Sequence, residues 1–116
     1  MKFIGIIPSR YESTRFPGKP LAIINGKTMI QRVYEQAGLV LEHVFVATDD
    51  ERIATEVRNF GGNVVITSKD HQSGTDRLAE AIVTIEKETG ENFDVAINIQ
   101  GDEPFIKPEQ IKEIIS

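Results

Sequence analysis

Cysteine is absent from the 116 residues, and no apolar run approaches the length of a membrane span, which needs roughly 18 residues. The lack of cysteine excludes disulfide bonds, thiolate metal sites and a cysteine nucleophile. It also fits a reducing compartment, so we expect a cytoplasmic protein that does not enter the membrane.

Negative charge is nearly missing from the start of the chain. Residues 1–32 contain six basic side chains and one acidic side chain, whereas the remainder contains seven basic and 17 acidic ones, and the whole chain carries a net charge of −5. An acidic protein is a poor candidate for nucleic-acid or membrane-surface binding. The basic cluster indicates either a small anionic ligand or an ordinary solvated face.

Two common phosphate-binding motifs are also missing. Gly26-Lys27-Thr28 imitates the end of a Walker A loop, but the first glycine of that motif would fall at Leu21. No G-x-G-x-x-G pattern follows the first apolar run, which disfavours a hydride-transfer enzyme. We expect Asn25-Gly26 to form a tight turn before a helix that is capped by Thr28.

Four short apolar runs have the character of strands buried on both faces, and Pro8 is expected to close the first. These runs are Phe3–Ile7, His43–Thr48, Asn63–Thr67 and Asp94–Ile99.

Segments of helical period lie between the runs. One is expected to begin with a Thr28/Gln31 capping box, the next near Thr48-x-x-Glu51, and the third near Ser73-x-x-Asp76. The second should end at Gly61-Gly62 and the third at Gly90, and Pro108 should open a fourth.

Alternating strands and helices predict an α/β fold, in which a mainly parallel sheet has helices on both faces. Ligands of such sheets bind beyond the carboxyl ends of the strands. The candidate loops are therefore residues 8–20, 48–50, 67–77 and 100–107.

The loop after the first strand carries the strongest chemical signal, because it combines arginine, lysine, hydroxyl and glycine residues within 8–20. Arginine offers forked donors to phosphate, lysine offers a mobile point charge, and backbone N–H groups near a glycine can form an anion-binding concavity. A triphosphate needs this combination, because its charge must be neutralised before a nucleophile approaches.

Four blocks in order resemble the sugar-activating nucleotidyltransferases, most closely the 3-deoxy-manno-octulosonate (Kdo) cytidylyltransferases, also called CMP-Kdo synthetases. The blocks are Ile7-Pro8-Ser9-Arg10-Tyr11-x-Ser13-Thr14-Arg15-Phe16-Pro17-Gly18-Lys19-Pro20-Leu21, Ala47-Thr48-Asp49-Asp50-Glu51-Arg52-Ile53, Thr67-Ser68-x-x-His71-x-Ser73-Gly74-Thr75-Asp76-Arg77-Leu78-Ala79-Glu80 and Asn98-Ile99-Gln100-Gly101-Asp102-Glu103-Pro104. The related sialic-acid activating enzymes have a different opening loop.

The resemblance implies a Rossmann-like, three-layer α/β/α nucleotidyltransferase fold. It also implies transfer of CMP from CTP to Kdo, which gives CMP-Kdo and pyrophosphate for lipopolysaccharide biosynthesis. The alternatives are a related enzyme such as a CMP-sialic acid synthetase, a nucleotidyltransferase that uses another base or sugar, and a non-catalytic nucleotide-binding fragment.

The resemblance also implies roles for individual residues. Lys19, Arg10 and Asp102 would be catalytic, and Asp102 would hold Mg²⁺. The residues implied for substrate binding are Ser9, Arg10, Ser13, Arg15, Lys19, Ser68, Gly74, Arg77 and Gln100.

Other polar residues in these blocks have simpler explanations. We expect Asp49 and Asp50 to cap a helix, and Ser73 and Asp76 to cap the next one. Arg77 could instead pair with Asp76 or Glu80 on the helix surface.

Members of the resembling family run well past residue 116. Their later part supplies a second metal aspartate, most of the sugar-acid pocket and the contacts of a homodimer. We therefore expect residues 1–116 to be the nucleotide-binding part of one domain, incomplete at the C-terminus and inactive alone.

Overall fold

The structure is a computed structural model, and it describes residues 2–9, 19–68 and 74–99. A short 3-10 helix, Lys19–Leu21, follows the first strand. The strands and α-helices, in chain order, are β1 (Phe3–Ser9), β2 (Ile23–Ile24), β3 (Lys27–Thr28), α1 (Met29–Gly38), β4 (Val44–Thr48), α2 (Glu51–Asn59), β5 (Val64–Ile66), α3 (Gly74–Thr89) and β6 (Val95–Asn98).

Four of the strands form a parallel sheet in the order β5-β4-β1-β6. They correspond to the four predicted apolar runs, so the predicted parallel sheet is confirmed. The order is that of the first four strands of a Rossmann sheet, in which the third, second, first and fourth strands lie side by side. The prediction that the domain is incomplete at its C-terminus stays a prediction.

Two apolar cores lie on opposite faces of this sheet, because successive side chains of a strand point to opposite faces. Ile7 packs on one face with residues of α1 and α2, such as Val33 and Val57. Ile4 and Ile6 pack on the other face with residues of α3. The predicted three-layer α/β/α arrangement is therefore confirmed.

Pro8 does not close the first strand, as the sequence predicted, because β1 continues to Ser9 and both residues pair with β4. The N–H of Gly5 donates to the carbonyl of His43 on the β4 side, so by alternation the nitrogen of Pro8 faces the β6 side. Pairing between β1 and β6 ends at Ile6. The missing N–H of Pro8 therefore removes no ladder hydrogen bond between these two strands.

A small antiparallel hairpin of β2 and β3 precedes α1. Its turn holds Asn25 at φ 51° and Gly26 at φ 86°, as expected for a type I′ turn. Thr28 then caps α1 by accepting from the N–H of Gln31 at 3.3 Å. The predicted turn and cap are confirmed, although the Gln31 side chain donates to Glu35 rather than completing a capping box.

The start of α2 differs from its prediction. Asp50 is the N-cap and accepts from the N–H groups of Arg52 and Ile53, whereas the Thr48 hydroxyl accepts from the N–H of Asp50. The shorter Asp side chain lies directly before the helix, which is the position that capping requires. The predicted end of α2 is confirmed, because Gly61 follows the helix at φ 82°.

The predicted end of α3 at Gly90 is confirmed by its φ of 73°. The Ser73 cap and the fourth helix lie outside the described residues. Within residues 2–9, 19–68 and 74–99, no helix combines the length and the apolar character that crossing a membrane requires.

Candidate functional site

The carboxyl edge of the sheet has one point at which the chain changes direction. From β1 the chain continues to β4 and β5 on one side, and after α3 it returns to β6 on the other side of β1. Ligands of open α/β sheets bind at such a point, beyond the strand ends. The ends of β1 and β6 therefore define the candidate site.

Ser9, a predicted substrate-binding residue, ends β1 at this point. It is 3% exposed, and its Oγ makes no hydrogen bond to any part of the chain that the structure describes. A buried hydroxyl without a partner loses its hydrogen bonds to water without replacement. A polar ligand at the end of β1 would restore one of them.

Lys19 begins the 3-10 helix, which packs against α1 and α2. The carbonyl of Ala22, just after this helix, accepts from the N–H of Met29 at the start of α1 at 2.9 Å. Because α1 connects two parallel strands, it starts at the carboxyl edge of the sheet. The backbone at Lys19 therefore lies near the same edge.

Three of the six basic residues of 1–32 serve the fold. Lys2 pairs with Glu91 at 3.1 Å and Lys27 pairs with Glu35 at 2.8 Å. Arg32 donates to the carbonyls of Ile24 and Asn25 in the hairpin. The remaining three basic residues of 1–32 are Arg10, Arg15 and Lys19, and all lie in the loop predicted to bind phosphate.

Arg77, another predicted substrate-binding residue, lies in the first turn of α3 and is 2% exposed. Its Nη1 donates to Thr67 Oγ1 at 2.7 Å and its Nη2 donates to Asp49 Oδ2 at 3.2 Å. The alternative prediction, a pairing on the helix surface, is wrong because the side chain is buried.

Ser68 and Gly74, also predicted to bind substrate, flank residues 69–73. The N–H of Ser68 donates to both carboxylate oxygens of Glu80 at 3.1 Å, and Gly74 is the first residue of α3. Residues 69–73, which include His71, lie outside the described residues.

Only one of the two adjacent aspartates after β4 is a cap. The prediction is confirmed for Asp50, and hydrogen bonds from the Arg52 side chain lower the pKa of its carboxyl below the ordinary value, assisted by backbone N–H groups of α2. It is wrong for Asp49, whose carboxylate pairs with Arg77. Sequence reasoning missed this pair because its members lie 28 positions apart.

The other predicted site residues lie outside the described part of the chain. They are Arg10, Ser13, Arg15, Gln100 and Asp102. The side chain of Lys19 is likewise not described. Within residues 2–9, 19–68 and 74–99, no three His, Asp or Glu side chains group closely enough to hold a metal ion.

Comparison with known proteins identifies the family. The model of one protein family, described as Cytidylyltransferase, matches residues 4–116. The chain belongs to the cytidylyltransferase family. The resemblance to its Kdo-specific members is also confirmed: proteins named 3-deoxy-manno-octulosonate cytidylyltransferase from Parabacteroides distasonis and Bacteroides thetaiotaomicron are 67% and 61% identical over 98% of this chain.

Solved structures of family members have the same fold. A CMP:2-keto-3-deoxy-manno-octonic acid synthetase complexed with CTP superposes with a TM-score of 0.91 at 47% identity, over 99% of this chain and 46% of that one. A cytidylyltransferase from Leptospira borgpetersenii gives a TM-score of 0.82 at 23% identity, over 99% of this chain and 48% of that one, and supports the fold alone.

The chain spans less than half the length of the curated relatives it matches, since the alignments cover 44% of both named cytidylyltransferases. The activity of a complete family member is therefore a matter of proposal for this chain.

Proposed function

We propose that this chain is the nucleotide-binding part of a Kdo cytidylyltransferase, which transfers CMP from CTP to Kdo. The anomeric hydroxyl oxygen of Kdo bonds to the α-phosphorus of CTP as the bond from that phosphorus to the bridging oxygen breaks. The products are CMP-Kdo and pyrophosphate, and the hydroxyl proton passes to solvent.

The observation that carries this proposal is the position of Ser9. Its buried hydroxyl has no partner among the described residues and ends the central strand at the switch point of a Rossmann-type sheet. The next residue in the sequence is Arg10, which opens the basic loop. The sequence thus carries phosphate-binding side chains directly past the end of β1.

Phosphoryl chemistry of this kind depends on positioning and charge neutralisation. Lys19 and Arg10 would neutralise charge on the triphosphate, with Ser9, Ser13 and Arg15 as hydrogen-bond donors to it. The 67–77 loop, through Ser68 and Gly74, would read cytosine and ribose. Gln100 would line the same pocket.

Asp102 fits a role in holding Mg²⁺. The N–H of Ile99 donates to the carbonyl of Ile6 at 2.9 Å, so the chain leaves β6 beside β1 at the carboxyl edge. Asp102 follows three positions later and supplies the carboxylate oxygen that Mg²⁺ prefers. When bound there, Mg²⁺ would add positive charge against the phosphate oxygens.

A second acceptor is supported by relatives from Shewanella that are named 8-amino-3,8-dideoxy-manno-octulosonate cytidylyltransferase and are 54–56% identical. Relatives named for Kdo itself reach 67% identity, which favours Kdo. A role in lipopolysaccharide biosynthesis in the cytoplasm, and a homodimeric complete enzyme, are part of the same proposal.

Calorimetric titration of CTP, UTP, ATP and GTP into the purified chain, with and without Mg²⁺, tests the nucleotide-binding part of this proposal. Preferential binding of CTP, strengthened by Mg²⁺, is the expected result. A folded chain that binds the four nucleotides equally would contradict it.

The acceptor needs a chain extended to the length of its relatives, which would be offered Kdo and the 8-amino sugar in parallel. Faster release of pyrophosphate with Kdo is expected. Faster release with the 8-amino sugar would replace Kdo as the acceptor. The 116-residue chain alone should release none.

A further inference from the structure

Arg77 joins three elements of the fold at one buried point. It lies on α3, whereas its two partners directly follow two neighbouring strands: Asp49 comes after β4 and Thr67 comes after β5. The strand ends are themselves connected, since the N–H of Thr67 donates to the carbonyl of Thr48 at 2.9 Å. One guanidinium therefore holds the start of a helix against the ends of two strands.

Glu80 makes a second connection one turn further along α3. Its carboxylate accepts from the N–H of Ser68 at 3.1 Å through each oxygen. Thr67 and Ser68 precede residues 69–73, and Gly74 and Arg77 follow them. Side chains of α3 thus fix both ends of this segment relative to each other.

The chemistry of the site requires an arginine. A guanidinium is planar and presents separate N–H donors in a fixed fork, so it can reach a hydroxyl and a carboxylate on different elements at once. A lysine ammonium is a single point charge on a flexible stem and does not hold two elements at a fixed angle. The charge is also matched, because Asp49 compensates a guanidinium that is 98% removed from solvent.

We propose that Arg77 is a positioning residue that determines specificity for cytosine without contacting the base. By holding the ends of residues 69–73 at a fixed separation, it pre-forms the loop that reads the base. A pre-formed site rejects a wrong base because unpaired polar groups in it cannot relax. The inference rests on the proposed function, since that function assigns base reading to the 67–77 loop.

The decisive variant is Arg77→Lys, which keeps the charge and loses the fork. Arg58→Lys is the matched control, because Arg58 also pairs with a carboxylate, that of Glu51 at 3.6 Å, but on the surface with 55% of its side chain exposed. Two quantities are measured in the 116-residue chain: hydrogen exchange at the backbone amide of Ser68, and the affinities for CTP and UTP.

Arg77→Lys should speed exchange at Ser68 and weaken CTP binding by about tenfold. UTP binding should change less, so that the preference for CTP over UTP falls. Arg58→Lys should leave all these quantities at their wild-type values. If Arg77→Lys does not fold, as judged by circular dichroism, Asp49→Asn is used in its place, since it keeps the size and one acceptor oxygen of Asp49.

Unchanged exchange at Ser68 in the folded variant would overturn the positioning role. An unchanged CTP to UTP ratio, in a wild-type chain that binds CTP, would overturn the specificity role. A wild-type chain that binds no nucleotide, combined with faster Ser68 exchange in Arg77→Lys, would instead reject the proposed function and leave Arg77 as the residue that holds the loop ends.

Discussion

Ser9 and Thr48 are paired at the last register position shared by β1 and β4, and both side chains are buried there. The two hydroxyls differ in their bonding. Thr48 Oγ1 accepts from the N–H of Asp50 at 3.1 Å, whereas Ser9 Oγ has no partner in the described part of the chain. Thr48 therefore supports the fold, and Ser9 remains available to a ligand.

Replacing Ser9 with alanine should weaken CTP binding by about fivefold, the value of one hydrogen bond. The free energy of unfolding should stay at or above the wild-type value, because the lost hydroxyl has no described partner in the protein. Calorimetry and urea unfolding measure the two effects. Thr89→Ala is the control, since Thr89 bonds to Ile85 near the end of α3, at the opposite edge of the sheet, and should leave CTP binding unchanged.

Replacing Lys19 with alanine should weaken CTP binding by tenfold or more, because an unscreened positive charge near a triphosphate contributes about 1.4 kcal/mol or more. In a chain extended to the length of its relatives, the same variant should lose most of its turnover and keep its circular dichroism spectrum.

The control for Lys19 is Lys27→Ala, which removes a lysine that pairs with Glu35 at 2.8 Å and is 44% exposed. This variant should bind CTP as the wild type does. Equal binding by the Lys19 and Lys27 variants would remove Lys19 from the proposed mechanism.

The stability of the chain should fall at acid pH in part through Asp50. Hydrogen bonds from Arg52 lower the pKa of Asp50 in the folded state. Its stabilisation is therefore fully present above the unfolded value of about 3.9 and is lost as the pH falls through the lower folded value. Urea unfolding between about pH 5 and about pH 2 measures this loss.

Asp50→Asn separates titration from capping, since asparagine caps helices as well as aspartate does but carries no charge. The variant should lose less stability than the wild type on acidification. Asp50→Ala should cost about 1 kcal/mol at neutral pH. Equal acid sensitivity in the wild type and Asp50→Asn would assign the pH dependence to other carboxyls.

Replacing Gly5 with alanine should destabilise the protein by about 2 kcal/mol. A Cβ at this central position of β1 would lie 2.7 Å from Leu41 Cδ1 and 2.9 Å from Ile99 Cδ1, both of which are in the buried core. Gly38→Ala is the control, because a Cβ there meets no atom within 4 Å. It should be neutral or stabilising in thermal unfolding, and equal losses in both variants would contradict the packing argument.

Much of the fold was predictable because it depends on local patterns. Runs such as Phe3–Ile7 are apolar at every position, which is typical of strands covered on both faces. The Asn25-Gly26 turn, the Thr28 cap and the end of α3 at Gly90 each follow from the backbone preferences of one or two residues. Where the local signal was ambiguous, prediction failed, as with Pro8 inside β1 and Asp50 rather than Thr48 as the cap of α2.

The candidate site was predictable as a place but not as a set of contacts. The loops that carry it follow strand ends, and strand ends can be read from the sequence. The pairing of Arg77 with Asp49 could not be read, because both residues also have local explanations as surface or capping residues. Their separation of 28 positions is closed only by the packing of α3 against the sheet.

The sequence by itself determined the family, the alternation of strands and helices, and the basic loop after β1, because these depend on residue type and order along the chain. The tertiary structure decided which polar side chains serve the fold and which are left for a ligand. Burial is the physical reason: a side chain withdrawn from water must find its partner among whatever the fold brings near it, as Arg77 does and Ser9, within the described residues, does not.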